Sequence, residues 1–427
     1  MRLLAQLTDD PWSGVTPSVY ETGRLVALAP WLTGHDARIR YLLDAQHPDG
    51  TWGGPGEYAL VPTLSAVDAL GGHPAARRGL EALRKLLSRA PKLPDTVAVE
   101  LIVPALAERL GLRAPIDPRP LHALRRQPLP EKLWHTLEIF GPRPEVVTTD
   151  GIVAASPAAT AVQLGGPRPG QSLDYLQKVQ QRHGGPVPAG VPVPLFERSW
   201  IIVALKSAGL DPHVPDAMID HMRAAFTRDG AAGGPGLPAD ADDTATALHA
   251  LALCDSPGAT HLLDRYREAR HFACFPAERT PSTSTNAHAL QALGHDRPLE
   301  EWLRDMQEPE GCWIDKWHAS PYYATACVTN ALRGNEKAAD WVLRTQRDDG
   351  SWGRWDGTYE ETAYALRILS HSSQDVSAAM VRGAKFMHAW GERPHPPLWH
   401  DKDLYTPTRI VQAEGVAALH LACVVSR

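Results

Sequence analysis

The stretch Gln346-Arg-Asp-Asp-Gly-Ser-Trp352 contains a pattern, Q-x-x-x-G-x-W, that decides how this chain is built. Two further copies occur at Gln46–Trp52 and Gln307–Trp313. Sequence similarity that recurs every 20–50 residues or so is typical of stacked structural units, none of which can bury its apolar face alone. We therefore expect a protein assembled from one repeated unit.

A second recurring element begins with threonine and continues with alanine and leucine. Its four copies start at Thr244, Thr285, Thr325 and Thr362, which are 41, 40 and 37 residues apart. Apolar residues recur within them at intervals of three and four, as on one face of a helix. No run alternates apolar and polar residues long enough to indicate a sheet. The sequence predicts an all-α protein of helical hairpins, which either close into α/α barrels or form an open solenoid.

The composition is that of a globular protein. The chain has 427 residues, of which 43% are hydrophobic and 22% charged, and its net charge of −6 gives no basic footprint for nucleic acid. Five cysteines lack the C-x-x-C spacing of zinc clusters, so we expect reduced thiols and a cytoplasmic location. No signal peptide and no stable membrane insertion are expected, because no uninterrupted apolar run reaches about 18 residues.

Three carboxylates, Asp240, Asp242 and Asp243, stand directly before the helix that begins at Thr244. Acidic residues in a first helical turn commonly cap free N–H groups and complement the helix dipole. Three of them within four residues exceed what capping needs, and both their mutual repulsion and burial raise a carboxyl pKa. A carboxyl that stays protonated in a dry cavity is a Brønsted acid suited to an alkene, which has no basic atom.

Protonating an alkene creates a carbocation, and aromatic faces stabilise cations. We expect Trp317, Tyr322 and Tyr323 to face such a cation. The tryptophans of the Q-x-x-x-G-x-W units are predicted to be structural instead, with the ring packed over its hairpin and the glutamine capping a helix end.

Ten motifs, taken in chain order, carry a resemblance to a known family. They are Ser18-VYETG, Gln46–Gly53, Glu100-LIVPAL, Leu133-WHTLE, Leu195-FERSW, Asp240–Asp243, Ser282-TSTNAHAL, Asp315-KWHASPYYAT, Glu360-ETAYAL and Leu398-WHDKDLYTP. Together they resemble the motifs of class II terpene cyclases, in particular the bacterial copalyl diphosphate synthase-like enzymes with a D-x-D-D sequence. The resemblance covers nearly the whole chain.

The resemblance implies the βγ architecture of that family, two α/α barrels with the active site between them. Residues 1–26 and 194–427 would form the β-type barrel that carries the acid. Residues 27–193 would form the γ-type barrel, inserted after the first helix of the other.

The resemblance also implies roles around the acid. Asp242 would be the general acid, and Asp240 and Asp243 would tune it and restore its proton. Asn286 would hydrogen-bond the acid and orient it. His135 lies where the family places the deprotonating group or its water.

A second group of residues would bind the substrate's diphosphate. Ser282, Thr283 and Lys316 match positions that hold this group in the family, and Lys402 is a further candidate. Glu100 is the nearest acidic match for the Mg²⁺ ion that accompanies the diphosphate. The family's acidic run is absent just before Leu93, so the ion would use other residues, such as Glu100 or Asp95.

The implied activity is that of an intramolecular lyase or isomerase. Geranylgeranyl diphosphate would be cyclised after protonation to a copalyl- or labdane-type bicyclic diphosphate, with the diphosphate retained. Two alternatives stay open, a sesquiterpene cyclase acting on farnesyl diphosphate to give a drimenyl-type product, and a helical-repeat scaffold with a degenerate site. The chain lacks the D-D-x-x-D cluster of class I synthases and the zinc ligands of protein prenyltransferases. The deprotonating base, the stereochemistry and the oligomeric state are not predicted.

Overall fold

The computed structural model describes residues 4, 7, 10, 12–89, 93–276, 278 and 280–425. Helices form almost all of the regular structure in this part of the chain. The first eight α-helices are α1 Val19–Leu28, α2 His35–Asp44, α3 Leu60–Leu70, α4 Pro74–Ser88, α5 Val99–Arg109, α6 Arg119–Leu124, α7 Pro157–Leu164 and α8 Gln171–Arg182. The others are α9 Pro194–Ser207, α10 Asp216–Ala224, α11 Ala241–Leu253, α12 Thr283–Leu293, α13 Arg297–Asp305, α14 Pro321–Leu332, α15 Glu336–Thr345, α16 Tyr359–Leu369, α17 Ser377–Trp390 and α18 Thr408–Val425.

The rest of the regular structure among the described residues consists of short 3₁₀ segments and two strands. Three segments are 3₁₀-helical: Gly56–Ala59, Glu131–Ile139 and Thr260–Tyr266. Strands β1 Trp399–His400 and β2 Leu404–Tyr405 pair antiparallel, with Trp399 opposite Tyr405.

The helices of the second half close into a ring. Each inner helix packs against the next in the order α9, α11, α12, α14, α16 and α18, and α18 packs back against α9. Helices α10, α13, α15 and α17 pack against this ring. The contact between the last and first members decides between the two predicted arrangements in favour of a closed barrel.

A second ring is formed by the first half. Its inner members are α1, α3, α5, the 3₁₀ segment Glu131–Ile139 and α7, which packs back against α1. Helices α2, α4, α6 and α8 each pack against one inner member. The protein is therefore all-α with two α/α barrels, as expected.

The Q-x-x-x-G-x-W units hold each hairpin together. Gln346 donates from Nε2 to the carbonyls of Gly350 and Ala379, at 3.0 and 2.9 Å. Gly350 has a φ of +88°, and a Cβ there would lie 2.7 Å from the carbonyl oxygen of Arg382, so only glycine fits. All three tryptophans are fully buried, and each indole donates at 2.5–2.7 Å to the carbonyl ten residues earlier: Trp52 to Leu42, Trp313 to Leu303, and Trp352 to Val342. Their predicted structural role is confirmed.

The start of the chain contributes to both barrels. Leu4 and Leu7 pack in the core of the ring that α9 opens, whereas Val15 and Leu25 pack in the first half. A domain boundary at residue 26 would separate α1 from the ring that it closes, so these contacts favour a first boundary between Leu7 and Val15. The division into 1–26 plus 194–427 and 27–193 itself stays a prediction.

Helix α18 is the one described helix that is long and apolar enough to cross a membrane by length and composition alone. It has 18 residues, a mean hydropathy of 1.3, and 39% of its length buried. It packs against α9 and α16 as a member of the inner ring, a position that accounts for its apolar composition.

Candidate active site

A cavity of about 230 Å³ is lined by residues from both barrels. His135 and Gly190 line it from the first half of the chain, and the three carboxylates Asp240, Asp242 and Asp243 line it from the second. Much of the remaining wall is aromatic, formed by Phe196, Trp200, Phe275, Trp317, Tyr323, Trp399 and Tyr405. The structure thus brings the predicted acid and the predicted deprotonating region to one cavity.

The carboxylates occupy the first turn of α11 because Asp240 caps it. The Asp240 side chain accepts a hydrogen bond of 2.7 Å from the backbone N–H of Asp243. The backbone N–H groups of Asp240 and Ala241 donate to the carbonyls of Ala231 and Cys274. This anchoring leaves Asp242, the middle carboxylate, free for another partner.

That partner is His288, which the sequence analysis did not single out. Its Nδ1 lies 2.6 Å from Oδ1 of Asp242, and both side chains are buried, with 7% and 14% exposed. Burial would lower the pKa of His288, but the charge of Asp242 and the hydrogen bond raise it to about 10. At neutral pH His288 is therefore a cation that donates to Oδ1. No hydrogen bond from a described residue reaches Oδ2 of Asp242.

The other two carboxyls of the cluster hold protons unusually tightly. Burial and then the charges of Asp243 and Asp242 raise the pKa of Asp240 well above its usual range. Burial and the charge of Asp242 raise the pKa of Asp243 to about 7. Space for Asp243 is provided by Gly233, where a Cβ would lie 2.7 Å from Oδ2 of that residue. Protons are thus retained in the cluster near neutral pH, which is the property predicted from the crowding.

Asn286 does not contact the acid. Its amide donates to the carbonyls of Phe272 and Ser282, at 2.9 and 2.8 Å, and its Oδ1 accepts from the backbone N–H of Phe272. Both amide protons and the amide oxygen are engaged in joining α12 to the segment before it. The expectation that Asn286 hydrogen-bonds and orients Asp242 is therefore corrected. His288, two residues later on the same helix, makes that contact instead.

His135 makes two hydrogen bonds that change its expected role. Its Nδ1 lies 2.7 Å from the carbonyl oxygen of Ala154, and its Nε2 lies 2.8 Å from Oδ1 of Asp401. Both partners are acceptors, so both ring nitrogens carry protons. Burial would lower the pKa of His135, but the charge of Asp401 outweighs it and raises the value. A doubly protonated imidazole cannot accept a proton, so His135 itself does not fit the deprotonating group.

Ser282 and Thr283 are engaged elsewhere than in a diphosphate site. Asp315 accepts from the Ser282 hydroxyl at 2.9 Å, from the Thr283 backbone N–H at 2.8 Å and from the Ser284 hydroxyl at 2.6 Å. Ser282 also caps α12 by accepting from the N–H of Thr285. Both predicted residues are buried and neither lines the cavity. Both residues stabilise the start of α12, and this corrects the prediction that they bind the diphosphate.

Lys402 is also corrected, because it lies fully buried between carboxylates. Its Nζ is 2.9 Å from Glu21 and 3.2 Å from Glu138, and it donates to Ser156 as well. A lysine that neutralises two buried carboxylates is committed to the fold and has no exposed surface for substrate.

Lys316 lies beside the cavity but is paired. Its Nζ forms an ion pair with Glu278, donates to the carbonyl of Thr280 at 3.0 Å, and lies 5.2 Å from the ring centre of Trp317. Lys132, which the sequence analysis missed, lines the cavity and is exposed. It is the one lysine among the described residues of the wall, and nothing in its local sequence distinguishes it.

The residues present do not fit a preformed Mg²⁺ site. Glu100 lies exposed in the first turn of α5 and does not line the cavity. Among the described residues no three His, Cys, Asp or Glu side chains are grouped as metal ligands.

The predicted aromatic residues divide into two groups. Trp317 and Tyr323 line the cavity, and the Tyr323 hydroxyl accepts a hydrogen bond of 3.2 Å from Trp200. Tyr322 does not line it, since its ring packs 4.5 Å from that of Trp341 and its hydroxyl bonds to a threonine of α15. The wall residues that the sequence analysis missed include Trp200 and Trp399, both inside motifs quoted above.

An acidic, aromatic-walled cavity between two α/α barrels defines a cyclase that starts its reaction by protonation. The squalene-hopene cyclase C-terminal domain matches residues 240–387. An ent-copalyl diphosphate synthase from Streptomyces sp. (strain KO-3988) is 45% identical, over 98% of this chain and 94% of its own. The labda-7,13-dienyl diphosphate synthase of Streptomyces clavuligerus is 39% identical, over 98% and 91%.

A solved structure agrees with these sequence matches. The ent-copalyl diphosphate synthase from Streptomyces platensis superposes with a TM-score of 0.92 at 42% identity, covering 99% of this chain and 98% of that one. The chain belongs to the class II terpene cyclases, in the copalyl diphosphate synthase-like branch. It is an enzyme of the intramolecular lyase or isomerase type.

Proposed function

We propose that this enzyme converts geranylgeranyl diphosphate into a bicyclic, copalyl- or labdane-type diphosphate and leaves the diphosphate in place. The observation that carries the proposal is the contact between Asp242 and His288 at the wall of an aromatic cavity. The names of the relatives above support a diterpene substrate. Nothing in them supports the farnesyl or scaffold alternatives.

The reaction begins when a proton held by Asp240 or Asp243 has passed to Oδ2 of Asp242. The polyene folds in the cavity with its terminal alkene at this oxygen, the proton passes to the alkene, and the neighbouring double bonds close the rings in turn. The shape of the wall supplies orientation, which removes much of the entropic barrier. The aromatic faces of Trp317 and Tyr323 stabilise the cation as it moves along the chain.

His288 acts on the carboxylate that proton transfer leaves behind. A cation that donates to Oδ1 stabilises negative charge on Asp242 and so favours release of the proton from Oδ2. Asp240 and Asp243, whose pKa values are raised, would return a proton to Asp242 between turnovers.

The diphosphate would bind near Phe275 and Glu278. Phe275 lines the cavity together with Lys132, and Glu278 pairs with Lys316. An incoming diphosphate would be attracted to Lys132 directly and would compete with Glu278 for Lys316. A requirement for Mg²⁺ and a cytoplasmic location stay predictions from the sequence.

The test is incubation of the purified protein with geranylgeranyl or farnesyl diphosphate, with and without Mg²⁺. Products are dephosphorylated and identified by mass spectrometry. We expect a bicyclic alcohol from the C20 substrate, and we expect Asp242→Asn to lower its rate of formation by on the order of 10²–10⁴-fold. The exposed Asp211, changed to Asn, is the matched control and should leave the rate unaltered. Recovery of only linear alcohols from the wild-type enzyme contradicts the proposal.

A further inference from the structure

The wall of the cavity holds one more carboxylate, Asp401, in the loop between β1 and β2. It lines the cavity beside His135 and Gly190 from the first half of the chain. We infer that Asp401 is the base that ends the reaction by removing a proton from the cyclised cation. This inference rests on the proposed function, because it concerns the last step of that reaction.

The two oxygens of Asp401 have different surroundings. Oδ1 accepts from Nε2 of His135 at 2.8 Å and from the backbone N–H of Lys402 at 2.6 Å. No hydrogen bond from a described residue reaches Oδ2. The side chain keeps 14% exposure at the cavity. One oxygen is therefore fixed and the other is open towards the substrate.

Gly190 keeps Oδ2 accessible. A Cβ at this position would lie 3.1 Å from Oδ2 and 3.6 Å from Cε1 of His135. A side chain there would crowd this oxygen and the imidazole of His135. The glycine thus leaves room for a C–H group of the substrate to approach the oxygen.

Asp401 is ionised in this arrangement. Burial would raise its pKa, but the protonated His135 and the neighbouring Lys402 lower it. The other ionisable groups nearby are Glu21 and Glu138, which pair with Lys402, and Asp403, whose pKa is raised by burial and by the charges of Asp401 and Glu21. A carboxylate paired with a cation is a weak base, but a C–H bond next to a carbocation is acidic enough for a weak base to remove its proton.

The step balances without another reactant. The C–H bond beside the cationic carbon breaks, its electron pair becomes the π bond of the new alkene, and the proton is taken up by Oδ2. Asp401 then releases that proton to water. His135 is a positioning residue, because it holds the carboxylate through Oδ1 and does not reach the substrate itself.

The test compares the products of the wild-type enzyme and Asp401→Asn with geranylgeranyl diphosphate. We expect the variant still to consume substrate and close rings, within about tenfold of the wild-type rate. Its product should change to a hydroxylated bicyclic diphosphate, formed when water captures the cation, or to an alkene isomer, formed by proton loss elsewhere. His135→Gln should shift the product in the same direction while KM stays unchanged.

Gly190→Ala keeps the carboxylate and narrows its access, so it tests the inference even if Asp401→Asn does not fold. We expect the same change of product from it. Asp68→Asn removes a buried carboxylate outside the cavity and controls for general destabilisation; its product should be that of the wild type.

An unchanged single product from the folded Asp401 variant, or from Gly190→Ala, overturns the inference. So does a folded Asp401 variant that makes no cyclic product, since Asp401 would then serve the acid step. Absence of a cyclic product from the wild-type enzyme instead contradicts the proposed function.

Discussion

Nδ1 of His288 lies 2.6 Å from Oδ1 of Asp242, and this contact joins two neighbouring inner helices of one barrel. It places a protonated imidazole against one oxygen of Asp242, a residue that lines the cavity. The proposed proton transfer to an alkene starts from this arrangement.

Removing the cation behind the acid should slow the chemical step. We expect His288→Gln to lower kcat by about 10²–10³-fold, the range found when one preorganised donor is lost. Steady-state kinetics with mass-spectrometric detection of the bicyclic product measure the change. His249→Gln, on the acid's own helix but away from the cavity, is the control and should keep most of the activity. A normal kcat in the His288 variant would show that the contact is merely structural.

Stability should depend on pH through Asp243, whose pKa is raised by burial and by Asp242 from 3.8 to about 7. Asp240 and His288 are the other titratable groups near it. The stabilisation of the fold by protonated Asp243 is fully present below pH 3.8 and is lost as the pH rises through about 7. The reason is that the unfolded chain releases this proton at a lower pH than the folded protein does.

Asp243→Asn should therefore gain thermal stability relative to wild type between those two pH values and hold the gain above about pH 7. Melting temperatures across this range at constant ionic strength measure it. Asp211→Asn, where Lys206 lowers the pKa of the native carboxyl, should show no such gain. A difference that does not change with pH would contradict the assignment.

Replacement of Lys402 should damage the fold. We expect Lys402→Met to cost about 3–5 kcal/mol of unfolding free energy, because Glu21 and Glu138 would be left as uncompensated buried carboxylates. Denaturant unfolding measures the loss. Lys206→Met, which breaks a surface pair, should cost only about 0–1 kcal/mol. An unaltered stability with a raised KM would instead support the diphosphate role expected from the sequence.

Adjacent tyrosines should differ in their effect on catalysis. Tyr323→Leu removes a ring from the cavity and should lower kcat by about 2- to 30-fold, the equivalent of a cation–π contact of about 0.5–2 kcal/mol. Tyr322→Leu removes a ring that packs on Trp341 and should affect stability more than kcat. Rates per folded enzyme distinguish the two. Equal losses of kcat would show that Tyr323 has no special role.

Lys132 should matter for substrate binding. We expect Lys132→Ala to raise KM about tenfold, as for loss of one exposed charge-assisted hydrogen bond, and to weaken the dependence of KM on salt. Initial rates at two ionic strengths test this. Lys178→Ala, an exposed lysine on α8, is the control. If KM is unchanged in the Lys132 variant, the diphosphate binds elsewhere.

The correct parts of the sequence analysis concern short-range patterns. The D-x-D-D cluster was located correctly, since Asp240 caps α11 and Asp242 lines the cavity, while the role of Asp242 as the acid stays a proposal. The helical unit and its structural tryptophans were also predictable. Each indole donates to a carbonyl only ten residues earlier in the chain, so both partners of the hydrogen bond lie within one short segment of sequence.

The incorrect parts concern residues whose partners lie far away in sequence. Asn286 and His288 share one helix, and only the rotation of α12 against α11 determines which of them meets Asp242. Lys402 lies in a charged segment that suggests a substrate-binding role. Its ammonium group is paired instead with Glu21, 381 residues earlier in the chain.

The sequence by itself determined the helical hairpin, its repetition and the position of the carboxylate cluster, because local spacing and short-range hydrogen bonds specify these. Only the tertiary structure decided that the hairpins close into two rings, that His288 rather than Asn286 stands behind the acid, and that His135 meets Asp401. These contacts join residues 46 and 266 positions apart. Ring closure and helix packing bring such residues together, and no local pattern encodes the rotation of one helix against the next.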